Sequence, residues 1–107
     1  MTEDIKIKAL SGKWSIRAAG AVIAETHGAL ELTEQGYNPV IYFPRDDIAM
    51  AFLDQTDKTS HCPHKGDADY FSIITKNGPI ENVAWSYEAP QEAVAKIKGH
   101  LAFHLND

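Results

Sequence analysis

Tyr70-Phe71-Ser72-Ile73-Ile74-Thr75 runs into Lys76-Asn77-Gly78-Pro79 and returns through Ile80 to Tyr87. Two β-prone runs joined by Asn-Gly are the strongest short-range sign of a hairpin, because tight turns need positive φ angles that glycine adopts without strain. On the return run Val83 and Trp85 are set against Ala84 and Ser86, a period of two. An antiparallel pair of strands therefore sits in the middle of the chain's second half, and the sequence on both sides reads the same way.

Upstream, Val40-Ile41-Tyr42-Phe43 is strongly β-prone, and Pro44 ends it because proline cannot donate to a ladder. Earlier still, Ile5, Ile7 and Ala9 alternate with Lys6, Lys8 and Leu10. Trp14 and Ile16 alternate with Lys13, Ser15 and Arg17. Ala21 to Glu25 and Ala29 to Thr33 follow, the latter with Leu30 and Leu32 on one face. Ser11-Gly12, Ala19-Gly20 and His27-Gly28 punctuate them, and Gln35 to Pro39 is a loop. Turn signals this regular favour an antiparallel meander.

Two stretches change period. Arg45 to Leu53 offers Asp46 or Asp47 as a cap and Ile48, Phe52 and Leu53 at helical spacing. Pro90 to Lys98 has proline in its first turn, an Ala93, Val94 and Ile97 stripe, and Gly99 at a C-cap position. Asp54 to Lys58 reads as a polar loop, and Leu101 and Phe103 as a last strand. The expectation is a mainly β, small antiparallel sheet fold with two short helices, in one domain over 1–107.

Composition narrows the function. Hydrophobic residues at 44% and charged residues at 23% are a globular balance, not a disordered one. Ten basic against fifteen acidic residues give a net charge of −5, and the only arginines are Arg17 and Arg45. Nucleic acid is not an expected partner, since duplex binding rests on clustered basic residues. No apolar run approaches the ~20 residues that span a bilayer, so no membrane is expected. The acidic start Met1-Thr2-Glu3-Asp4 lacks the charge and apolar stretch of a leader, and a single cysteine forms no internal disulfide. The cytoplasm is the expected location.

Chemistry concentrates in His61-Cys62-Pro63-His64-Lys65-Gly66-Asp67-Ala68-Asp69-Tyr70, which holds the only cysteine and two of the five histidines. Cys62 is a candidate nucleophile or redox thiol, with His61 or His64 as proton carrier. The alternative is a buried thiol packed as a small hydrophobe. Lys65 before Gly66 suggests an anion site, a point charge beside backbone N–H groups at a bend. Arg45 either adds a planar fork for carboxylate or phosphate or pairs with Asp67 or Asp69 to hold the loop. Tyr42, Tyr70, Trp85 and Tyr87 are candidate walls, with core packing as the competing role. His61, Cys62 and His64 are not expected to make a metal site: no Cys-x-x-Cys pair accompanies them, His100 and His104 sit four apart where a strand would not bring them together as a helix does, and neighbours on an extended segment point to opposite faces. No cofactor is expected.

Taken in order, Tyr42-Phe43-Pro44-Arg45-Asp46-Asp47, Thr59-Ser60-His61-Cys62-Pro63-x-Lys65-Gly66, Tyr70-x-Ser72, Trp85-Ser86-Tyr87 and Gly99-His100-Leu101-Ala102-Phe103 resemble domain-of-unknown-function family 427 over nearly the whole chain. The resemblance implies a β-tent fold and carries a nucleotidyltransferase-like label. Nothing in the chain resembles a glycine-rich phosphate loop.

Three functions compete. The first is a pocket for a small anionic molecule formed by Arg45, His61, Cys62, Lys65, Tyr70, Trp85 and Tyr87. The second is an enzyme using Cys62. The third is a structural or interaction module without a ligand, for which Cys62→Ala and Lys65→Ala lower the melting temperature. A homo-oligomer through an edge strand is compatible with all three.

Overall fold

The computed structural model describes residues 5–105, so the acidic start Met1 to Asp4 lies outside the described residues. Among the described residues nine strands form: β1 (Ile5–Ala9), β2 (Trp14–Ala18), β3 (Ala21–Thr26), β4 (Leu30–Glu34), β5 (Val40–Phe43), β6 (Leu53–Cys62), β7 (Gly66–Thr75), β8 (Gly78–Tyr87) and β9 (Leu101–Phe103). All pairings between strands are antiparallel. The mainly β, antiparallel expectation holds.

The order is not a simple meander. Seven strands make one sheet, β1-β4-β5-β9-β8-β7-β6, and β2-β3 stands apart as a hairpin. The short β9 closes the gap between the two halves, pairing Leu101 with both Phe43 and Ser86.

Successive side chains on a strand point to opposite faces, so the register sorts residues by side. One face of the large sheet carries Phe43, Phe71, Ile73, Ala84 and Leu101. It packs against Ala18, Ile23 and Ala24 of the hairpin. The other carries Leu32, Tyr42, Ala68, Tyr87 and Ala102, covered by Val94 and Ile97. The result is three layers around a central sheet.

The two expected helices are corrected: only 3-10 turns form, at Arg45–Asp47, Met50–Phe52 and Glu92–Ile97. Ile48 is extended (φ −114, ψ 136) and bridges Ala24, while Ala49 N–H donates to Ile23 at 2.8 Å. Pairing with β3 thus satisfies backbone groups that a helix would have used. In the later stretch Val94 breaks the helical angles (φ −122, ψ 27) and is fully buried.

The polar loop expected over Asp54 to Lys58 is also corrected. It is part of the ten-residue β6, an outer strand of the sheet that is polar and mostly exposed. A charged edge discourages pairing with another sheet. The central hairpin forms with Thr75 opposite Gly78, and Gly78 supplies the positive φ of +107.

Candidate functional site

Cys62 ends β6, Gly66 begins β7, and the turn between them is closed by Lys65 N–H donating to the Cys62 carbonyl at 3.1 Å. Gly66 has φ +116, and a Cβ there would meet the Ala89 carbonyl at 3.3 Å. Only glycine takes this backbone cheaply. Gln91 N–H donates to the Lys65 carbonyl at 2.9 Å, so the chain after β8 clamps the turn from behind.

The turn directs Lys65 toward β4. Its Nζ donates to Glu34 Oε1 at 2.9 Å, and the two side chains are only 14% and 15% exposed. The Lys65 pKa lies above its ordinary value. Burial works to lower it, but the hydrogen bond that Lys65 donates to Glu34, together with the nearby Cys62, outweighs burial. The ammonium is therefore firmly charged at neutral pH.

Beside this pair lies a hollow of about 430 Å³. Glu34, Cys62 and Lys65 give it polar lining, and Leu32, Val40 and Pro63 apolar lining. His64 lines it too, with Tyr37 and Asn38 from the 35–39 connection. Tyr37 is 73% exposed and stands at the rim. Cys62, a half-buried free thiol, opens onto the same space.

Tyr42, Trp85, Tyr87 and Tyr70 lie on this face of the sheet but do not line the hollow. Trp85 Nε1–H donates to Tyr42 Oη at 3.4 Å. Burial pushes the phenols of Tyr42 and Tyr87 up, opposed at Tyr42 by the Trp85 hydrogen bond and the Lys65 charge and reinforced at Tyr87 by the groups around it, so both stay protonated. Tyr70 packs on Trp85 with centroids 6.3 Å apart and shares a hydrogen bond with Ser60 at 3.0 Å. These aromatics act here as packing.

Arg45 does not join Lys65 and Cys62. Its guanidinium lies 5.8 Å from the Phe71 ring centroid, donates through Nε to the Gly99 carbonyl at 3.0 Å and pairs with Glu88. Phe71 belongs to the face packed on the hairpin, whereas Cys62 lies in phase with Tyr70 on the other. The sheet separates the two cations. The partner of Arg45 is Glu88, not the expected Asp67 or Asp69.

His61 is likewise separated from Cys62. Its Nδ1 lies 2.6 Å from Asp67 Oδ1, exposed on the Arg45 side. His64, not His61, shares space with the thiol. Among the described residues no group of three or more His, Cys, Asp or Glu can hold a metal ion. No helix of the described residues is long and apolar enough to cross a membrane.

Glu34 was the residue that sequence reasoning missed, yet a signal existed. Leu30 and Leu32 face inward on β4, so parity places Glu34 on the buried side as well. An inward acid at a strand end calls for a buried partner. Tyr37 and Asn38 carried no comparable signal, because loop residues have no parity.

A second hollow of about 450 Å³ lies among Trp14, Ile16, Phe43, Trp85 and Phe103. No Lys, Arg, Asp or Glu lines it, so it offers packing surface without the charge found beside Cys62.

A thiol, a buried ion pair and an aromatic rim thus meet on one side of an antiparallel sheet built on a His-Cys-Pro-x-Lys-Gly turn. The chain belongs to the family described as Domain of unknown function (DUF427), whose model matches residues 6–107. No curated protein matches it.

Proposed function

We propose that this is a small-molecule binding domain whose ligand places an anionic or hydrogen-bond-accepting group on Lys65. The Lys65–Glu34 pair carries the reading. Two charges buried together gain little stability over apolar packing, because desolvation offsets their attraction. Here both members of the pair line an open hollow instead of lying inside a core. An ammonium has three N–H donors; Glu34 takes one and Cys62 lies close enough to take another, which leaves one for a guest.

Arg45 has no place in this site. The Asp46-Asp47 pair that a nucleotidyl-transfer reading would draw on lies in a 3-10 turn on the Arg45 side, where Asp47 accepts a hydrogen bond from Thr26 at 2.7 Å. The hollow's chemistry suits a monoanion, because a second negative charge would meet Glu34.

Isothermal titration with acetate, propionate and phosphate tests this. The wild type is expected to bind a carboxylate saturably, and Lys65→Gln to lose at least about tenfold in affinity, or about 1.4 kcal/mol, while keeping its β-sheet circular dichroism. Equal binding by folded Lys65→Gln ends the proposal.

The placement of His64 beside Cys62 favours a second reading, an enzyme in which Cys62 attacks and His64 carries the proton. It requires a thiol that iodoacetamide labels faster than free cysteine at neutral pH, and slower labelling in His64→Ala. A wild-type rate at or below that of free cysteine rules it out.

A further inference from the structure

The hollow has a second property that its cation does not explain. Two flat side chains, Tyr37 and His64, line it together with the Pro63 ring and the aliphatic Leu32 and Val40. Among the described residues Tyr37 is the most exposed large apolar side chain at 73%, against 46% for Phe52 and 38% for Trp14. Water contact on an aromatic face has a cost that stacking removes. The turn that carries Tyr37 is fixed at its start, where Tyr37 N–H donates to the Glu34 carbonyl at 3.0 Å. One residue thus supplies a backbone anchor for Tyr37 and a side-chain anchor for Lys65.

We propose that the hollow takes a planar aromatic carboxylic acid, its ring packed between Tyr37 and the Pro63-His64 turn and its carboxylate on the Lys65 ammonium. The size agrees, since about 430 Å³ lies within the range of ordinary small-molecule sites. The charge agrees as well. A carboxylate brings one negative charge to a cation already shared with Glu34, and a phosphate dianion brings more repulsion than Lys65 offsets. The hydrocarbon lining favours a ring over a chain of hydroxyls, which would leave donors unpaired against Leu32 and Val40.

This inference rests on the Lys65 site proposed above and adds the shape of the ligand, so the experiment separates the two. Benzoate and cyclohexanecarboxylate are titrated calorimetrically into the wild type, Tyr37→Ala and Lys65→Gln. They carry the same charge on a flat and a puckered ring. Benzoate is expected to bind the wild type roughly three- to tenfold tighter than its saturated counterpart. Tyr37→Ala should remove most of that preference while still binding both acids. Equal affinity of the wild type for the two acids overturns the planar-ring inference and leaves the Lys65 site standing. So does a preference that survives in Tyr37→Ala. Binding of neither acid, or binding unchanged in Lys65→Gln, overturns both. Tyr37 is exposed and makes no side-chain hydrogen bond among the described residues, so Tyr37→Ala is expected to fold as the wild type does.

Discussion

Lys65–Glu34 on one face of the large sheet and Arg45–Glu88 on the other join similar charges across similar stretches of sequence, yet their surroundings differ. The first pair is 14% and 15% exposed and borders a hollow; the second is 38% and 48% exposed and closes over packed aromatics. Arg45 also holds the Gly99 carbonyl, tying the end of β5 to the start of β9. One pair is shielded from water beside empty space, and the other is hydrated beside solid packing. Sequence chemistry alone made them look like members of a single site; the sheet's two-residue alternation is what parts them.

The comparison breaks most visibly at Lys65. Lys65→Met strands the Glu34 carboxylate in a half-dry site and is expected to cost about 3 kcal/mol in urea unfolding. The double variant Lys65→Met/Glu34→Leu should recover most of that loss, because both desolvation penalties disappear together. Equal losses in the single and double variants would show that the pair is not the reason for the sensitivity.

Gly66→Ala is expected to cost about 2 kcal/mol, since φ +116 is strained for any residue with a Cβ. It should also weaken carboxylate binding, because the turn that aims Lys65 shifts. Arg45→Met should cost only about 1 kcal/mol, the value of an exposed pair and one hydrogen bond, with carboxylate affinity unchanged. A loss of binding in Arg45→Met would dissolve the division between the two faces.

The smallest effect concerns alkaline pH. The Lys65 pKa is raised on folding, so its contribution is complete below the unfolded value of about 10.4 and is lost as pH climbs through the higher folded one. The stability difference between the wild type and Lys65→Met/Glu34→Leu should therefore stay level from neutral pH to about 9.5 and change only above about 10.5. A difference that already changes near neutral pH would mean that another group controls it.

Most strands were legible because alternation and turn residues are local signals. Ile5 to Ala9, Val40 to Phe43 and the hairpin at Asn77-Gly78 formed where their patterns placed them. Helices failed at Ile48 and Val94, where tertiary partners outbid local spacing: Ala24 for the first, the covered face of the sheet for the second. The β6 strand was hidden because an exposed edge has no buried side to impose alternation.

The candidate site was legible in part. The Cys62-to-Gly66 turn could be recognised from its residues; the parity of β4 marks Glu34 as an inward acid in need of a partner, but not that the partner is Lys65, 31 positions away. Arg45 was misplaced for a related reason. Proximity to the motif in sequence said nothing about which side of the sheet Pro44 would send it to.

Mapping of backbone amide shifts on carboxylate addition tests the division of the two faces most directly. With saturating benzoate, the amides of Tyr37, Asn38, Cys62, His64 and Lys65 are expected to move, and those of Arg45, Glu88 and Gly99 to stay. Shifts centred on Arg45 and Gly99, with the Cys62-to-Lys65 turn silent, would contradict the account.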